Sequence, residues 1–170
     1  RKSAERTLKN IIPFIEGKLF LKVNRKKTEV AHISTVKYLG YSFYRHKGKC
    51  RFRVHPKSVA KMKNRIRELT DRNKGISNEV REKKYQEYVR GWVEYFRLAD
   101  MKKLLQKTDE WARRRIRAIY WKQWKKIKTK CRMLKALGLE DWKAKELANS
   151  RKGYWRMAKV LNQIFSNKII

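Results

Sequence analysis

The sequence predicts an α+β protein that is mostly α: a short β-hairpin followed by a three-helix bundle with additional C-terminal helices. Three observations predict it. Strand-type patterning is confined to the first third of the chain, with residues 36–54, rich in aromatic and β-branched residues, as its clearest stretch. After Pro56 the apolar residues recur at steps of three and four, the period of an α-helix. The connections between these helical stretches are short, which makes successive helices largely antiparallel neighbours in a bundle.

Taken in order, Ser3-Ala4-Glu5-Arg6 reads as an N-cap and first turn, opening a helix with Leu8, Ile11, Ile12 and Ile15 on one face. Pro13 in its interior is expected to kink or shorten it. Residues 19–23 alternate as a short strand, the polar cluster Asn24-Arg25-Lys26-Lys27-Thr28 ends it, and residues 29–33 form a second one. A hairpin follows, 38–44 against 49–54, turning at Arg45-His46-Lys47-Gly48. In its second strand Lys49, Arg51 and Arg53 share one face. That basic face suits either a phosphate backbone or an edge strand whose charges prevent aggregation.

Pro56 is placed to start a helix striped by Val59, Met62, Ile66 and Leu69, which gives way over 71–75. Ser77 or Asn78 caps the next helix, which carries Tyr85, Tyr88, Val89, Trp92 and Phe96 at helical spacing. Those aromatics read as bundle core, with a base-stacking platform as the alternative. A third helix begins at Met101 and either continues into residues 111–135 or bends near Asp109. Residues 109–135 contain no Gly or Pro and read as one long helix, with Ile116, Tyr120, Trp124, Ile127, Cys131 and Leu134 on a single apolar stripe. Gly138 is its C-cap. A short helix over 140–149 follows, and Ser150 caps a last one starting at Arg151.

Charge narrows the function classes. Forty-eight Lys and Arg against fifteen Asp and Glu give a formal charge of +33 over 170 residues. Self-repulsion on that scale points to a polyanionic partner. With 41% hydrophobic residues, six Trp and eight Tyr, the chain has the apolar surface for a core and is no disordered basic tail. Nucleic acid is the expected polyanion. An anionic membrane surface is the alternative, though no apolar run approaches the ~20 residues that span a bilayer. Cys50 and Cys131 form no CxxC pair, and His32, His46 and His55 are isolated, so no metal site is expected. Both cysteines read as reduced structural residues of an intracellular protein. No signal peptide is visible. Arg1 in place of Met, and an apolar tail over 160–170, read as the cut ends of a longer chain.

The expected phosphate ligands follow. On the long helix they are Arg113, Arg114, Arg117, Lys122, Lys125 and Lys126; on the helix after Pro56, Lys57, Lys61, Lys63 and Arg67 form a second strip. Arg151 and Lys152 beside Tyr154 and Trp155 suit a phosphate-and-stacking site, or two aromatics packed on the bundle.

Five blocks in order carry a family resemblance: Tyr38-Leu39-Gly40-Tyr41, His55-Pro56-Lys57, Arg90-Gly91-Trp92-Val93-Glu94-Tyr95-Phe96, Trp121-Lys122-Gln123-Trp124-Lys125 and Arg151-Lys152-Gly153-Tyr154-Trp155. Over essentially its whole length the chain resembles group II intron-encoded reverse transcriptases, also called maturases. The resemblance implies three regions: residues 1–55 as the C-terminal remnant of the polymerase palm, 56–137 as the thumb or maturase (X) domain, and 138–170 as the start of a DNA-binding region. It implies that Tyr38, Leu39, Gly40 and Tyr41 are the primer grip, which holds the growing strand's backbone. Lys27 and Thr28 match a segment that in the family usually reads Asn-Pro-Glu-Lys-Thr, and Arg25 and Lys26 depart from it.

The implied partners are group II intron RNA, the template–primer duplex, and the fingers and palm that would precede residue 1; the implied setting is a ribonucleoprotein in the bacterial cytoplasm, near the nucleoid. The implied parent enzyme is an RNA-directed DNA polymerase that uses Mg2+ and assists intron splicing and retrohoming. The family's Tyr-Ala-Asp-Asp block is missing, no Asp precedes Asp71, and Glu5, Glu16 and Glu29 are too scattered for a metal pair. No catalytic residue and no cofactor are therefore expected in this chain. Two rival readings are a piece of a split polymerase, active with an N-terminal partner, and a generic basic helical protein that binds duplex DNA as well as RNA.

Overall fold

The computed structural model describes residues 2–165, which hold seven α-helices and one three-stranded antiparallel sheet. Helix α1 (Lys2–Gly17) continues past Pro13, so the expected shortening does not occur. None of its residues is buried, and Phe14 leaves half its surface in solvent.

Residues 19–33 form no strand, contrary to the alternating pattern. A strand needs a ladder partner, and this segment folds back on its own helix instead. Leu21 N donates to Ile15 O at 3.2 Å, Val23 N to Glu16 Oε1 at 3.3 Å, and Arg25 pairs with Glu16 at 2.5 Å. Leu19, Phe20 and Leu21 are left exposed.

The sheet has the order β1 (Lys37–Tyr38), β2 (Tyr41–His46), β3 (Lys49–Val54). Both connections are two-residue turns with positive φ at each position: Leu39 at 47° and Gly40 at 83°, then Lys47 at 48° and Gly48 at 77°. Such turns match the twist of the strands they join. The edge strand β3 spends Arg51 on Asp100 at 2.6 Å, and Tyr44 donates to the same carboxylate at 2.6 Å. Val54 is its one buried residue; it enters a cluster with Phe96 and Met101 that fastens the sheet to the helices.

Helix α2 (Pro56–Leu69) starts at Pro56, with His55 Nδ1 accepting from Lys57 N at 3.1 Å. Helix α3 (Asn78–Tyr95) is capped by Ser77, whose Oγ accepts from Val80 N at 3.3 Å. Helix α4 (Lys102–Gln123) is continuous through Asp109. Met62 and Ile66 of α2 meet Ala112 of α4 under Tyr85, Tyr88 and Trp92 of α3, so the aromatic stripe of α3 packs on the bundle core.

The long helix is interrupted at Trp124–Lys126 and resumes as α5 (Ile127–Ala136). No Gly or Pro breaks it. Trp121 and Trp124, before the break, share a core with Leu134, after it, and with Ala144, Met157, Leu161 and Phe165. At the break Lys125 N donates to Gln123 O at 2.9 Å. Across it, Gln123 and Asn78 exchange two side-chain amide bonds of 2.8 and 3.0 Å. One consequence is that Ile127, expected on the apolar stripe, is half exposed. Gly138, at φ 91°, closes α5.

Helix α6 (Asp141–Ala148) and α7 (Tyr154–Val160) complete the second core, with a 3-10 turn at Leu161–Gln163. Helix α7 starts three residues later than expected, because Ser150 Oγ accepts from Lys152 N and closes a turn rather than capping the helix. The end of the apolar tail, residues 166–170, lies outside the described residues.

Candidate nucleic-acid interface

The loop after α2 is built by cations. Arg81, only 2% exposed, donates from Nη1 to Leu69 O and Asp71 O at 2.9 Å each, and from Nη2 to Lys74 O at 3.2 Å. Arg115 donates to Thr70 Oγ1 at 2.6 Å and to the Arg67 and Thr70 carbonyls at 3.3 Å. Lys122 reaches Asn73 Oδ1 at 2.5 Å and Arg72 O at 3.4 Å. These oxygens belong to the C-terminal turn of α2 and the chain just past it, where the helix dipole is negative and carbonyls lack partners. Three positive side chains from α3 and α4 satisfy them.

That loop sets four guanidinium groups on one face. Arg67 and Arg115 lie over Trp111 at 5.5 and 5.3 Å from its centroid. Arg72 lies over Tyr154 at 5.4 Å. Arg114 lies over Trp155 at 4.0 Å and donates to Trp155 O at 2.9 Å. Among the described residues none of the four forms an ion pair; rings, carbonyls and neutral side chains hold them. The groups are therefore fixed in place without being neutralised. Burial pushes the Arg115 guanidinium below its ordinary range, and the like charges of Arg67 and Arg72 push it further. Clefts beside the cluster are lined by Arg72, Arg115 and Trp155, and by Arg151, Lys152, Tyr154 and Arg156.

The expected ligands divide among several places. Arg67, Arg114, Arg151, Lys152, Tyr154 and Trp155 come together at this face. Arg117 does not: 5% exposed, it donates from Nε to Ala158 O at 3.0 Å and ties α4 to α7. Burial lowers its affinity for a proton, and Arg113 and Arg114 lower it further. Arg113 pairs with Asp109 at 2.8 Å. Lys122 serves the loop, and Lys125 and Lys126 sit exposed at the α4–α5 break. The strip expected on α2 is split, because Arg67 joins the cluster while Lys61 lines a groove with Lys37, Leu39, Gly40, Tyr88, Trp92 and Tyr95. Lys57 is exposed in the first turn of α2, and Lys63 is half-buried.

Beside that groove, the turn Tyr38-Leu39-Gly40-Tyr41 is locked to the helices. Tyr95 donates to Leu39 O at 3.0 Å and Tyr41 to Tyr95 O at 2.5 Å. Gly40 O accepts from His55 N at 2.9 Å and Ser58 Oγ at 3.1 Å. A Cβ on Gly40 would lie 3.0 Å from Phe96 Cζ and 3.1 Å from Ser58 Oγ.

Sequence reasoning missed Arg72, Arg115 and Trp111. Arg72 lies in an aperiodic polar loop, and Arg115 sits in a run of three arginines whose helix phase alone does not say which one turns toward α2. Among the described residues no three His, Cys, Asp or Glu side chains come together as a metal site, and no helix is long and apolar enough to cross a membrane. Both cysteines are free thiols.

A comparison with curated proteins finds none that matches. Residues 59–138, just under half of the chain, run from the first turn of α2 to the glycine that closes α5; they match the family model described as group II intron, maturase-specific domain, which supports a group II intron maturase.

Proposed function

We propose that this chain is the thumb and maturase portion of a group II intron reverse transcriptase, and that it binds folded intron RNA to support splicing. The observation that carries the reading is the cluster of Arg67, Arg72, Arg114 and Arg115, held by indoles, a phenol and carbonyls rather than by carboxylates. A guanidinium already oriented loses little entropy on meeting a phosphate, and one that is not neutralised keeps its full field. The family match covers all four of these residues. Residues 1–55 are read as the end of the palm, with Tyr38–Tyr41 gripping the primer strand of a template–primer duplex, and residues 138–170 as the start of a DNA-binding region used in retrohoming. The parent enzyme's Mg2+-dependent polymerisation is read as the work of its fingers and palm, as the resemblance implies.

The test is a salt titration of binding to intron RNA and to duplex DNA. With about six phosphates contacted, affinity falls roughly a thousandfold between 50 and 200 mM salt. RNA binding that is insensitive to salt, or duplex DNA bound as tightly as intron RNA, refutes the reading.

A further inference from the structure

A second basic surface lies apart from the arginine cluster. Helices α5 and α6 enclose a groove of 630 Å³ lined by Lys126, Lys128, Cys131, Arg132, Lys135 and Lys145, and it shares no residue with the clefts of the cluster. Lys128, Cys131, Arg132 and Lys135 lie on one face of α5, each three or four residues from another of the set, and Cys131 borders the core that holds the buried Leu134. Asp141 pairs with Lys135, and with Lys145 at 2.6 Å. Among the described residues Lys126, Lys128 and Arg132 have no carboxylate at ion-pair distance. Five cations therefore face one carboxylate across an open trough.

We infer that this groove takes a single-stranded segment of RNA, so that one chain holds two separate parts of a folded transcript. The inference rests on the RNA-binding reading above and adds a second site to it. Charge complementarity selects the phosphate backbone. Shape selects a single strand, because the cations line a trough between two helices and not a ridge on which a duplex could rest. Cations from Lys128 to Lys135 span about 10 Å of helix axis, room for a few consecutive phosphates.

Cys131 supplies a local reporter, since it sits half-buried in the groove and the other thiol, Cys50, is on the exposed edge strand. In a Cys50→Ser chain, the rate of Cys131 modification by a thiol reagent is measured alone, with a short oligouridylate, with intron RNA and with duplex DNA. Oligouridylate and intron RNA are expected to slow modification about tenfold. The Lys128→Gln/Arg132→Gln variant is expected to lose that protection and to lower the salt slope of intron RNA binding by about 1.4, at ~0.7 per single-strand phosphate. The Lys128→Arg/Arg132→Lys variant should keep both, and unchanged thermal unfolding shows that neither pair disturbs the fold.

Salt-dependent intron RNA binding with Cys131 reacting at its free rate overturns the groove assignment and leaves the arginine cluster standing. Protection by duplex DNA equal to that by oligouridylate overturns the assignment to a single strand. Failure to bind either RNA at low salt overturns the groove together with the reading on which it rests.

Discussion

Replacing Arg81 with Met removes the three bonds that pin the loop after α2, at 2.9, 2.9 and 3.2 Å, from a side chain that is 2% exposed. Bonds donated by a charged group are worth about 1.5–3 kcal/mol each, and their loss leaves the Leu69, Asp71 and Lys74 carbonyls without this donor. Against that, a guanidinium no longer has to be taken out of water, a gain of several kcal/mol. The balance is a destabilisation of about 3 kcal/mol. With a urea dependence of about 2 kcal/mol/M, the unfolding midpoint should fall by about 1.5 M. Arg81→Lys should recover less than half of this, because an ammonium has no planar fork to reach three acceptors. The assay is urea unfolding followed in parallel by tryptophan fluorescence and circular dichroism. RNA binding reads the second effect: with the loop loosened, Arg72 leaves Tyr154 and the salt slope falls by about one unit. A midpoint that does not move, or one that Lys restores fully, would refute the idea that this arginine builds the loop.

Three further predictions follow from other contacts. Burial pushes the Tyr85 and Tyr120 phenols up to about 12, and for Tyr120 the bond to Glu82 adds to it. A folded value raised above the unfolded one, about 10, gives stability that is complete below pH 10 and lost as pH rises toward 12. Tyr85 and Tyr120 should therefore be late to ionise in tyrosinate absorbance of the folded chain, and Tyr120→Phe should remove one late-titrating phenol. Gly40→Ala forces a side chain onto φ 83° and to within 3.0 Å of Phe96 Cζ, so thermal unfolding should report a loss of about 1–3 kcal/mol. The double change Arg67→Met/Arg115→Met should lower RNA affinity at low salt and reduce the salt slope by about two units, while Arg113→Met, already paired with Asp109, should change the slope by much less.

What the sequence made legible is what depends on neighbours in the chain. Pro56 at the start of α2, Ser77 capping α3 and Gly138 closing α5 are local chemistry, and so is a turn ending at Gly48. The strand expected to stop at Tyr44 nevertheless runs on to His46, and the one expected over 38–44 is broken by the turn at Leu39-Gly40. Residues 19–33 carry a strand pattern, but pairing requires a second strand that no local signal reveals. The break at Trp124 lies within a core that gathers residues from both sides of it, Trp121 and Trp124 before and Leu134 after, a tertiary fact that helix propensity does not reveal. The candidate site divides the same way. The density of positive charge on α2 and α4 could be read directly, whereas the partners of each guanidinium could not. Arg117 and Arg115 look alike in the sequence; one is spent on Ala158 O inside the protein, and the other lies over Trp111 beside Arg67.

The arginines fixed over aromatic rings also bear on how long such a protein would last in a cell. Like charges clamped at close range make the empty chain a stressed one, and a polyanion that discharges them shifts the folding equilibrium by mass action, about 2.7 kcal/mol at a ligand concentration one hundred times Kd. Proteases that sample the unfolded fraction would then clear unbound copies first, so the amount of protein would track the amount of transcript available to shelter it.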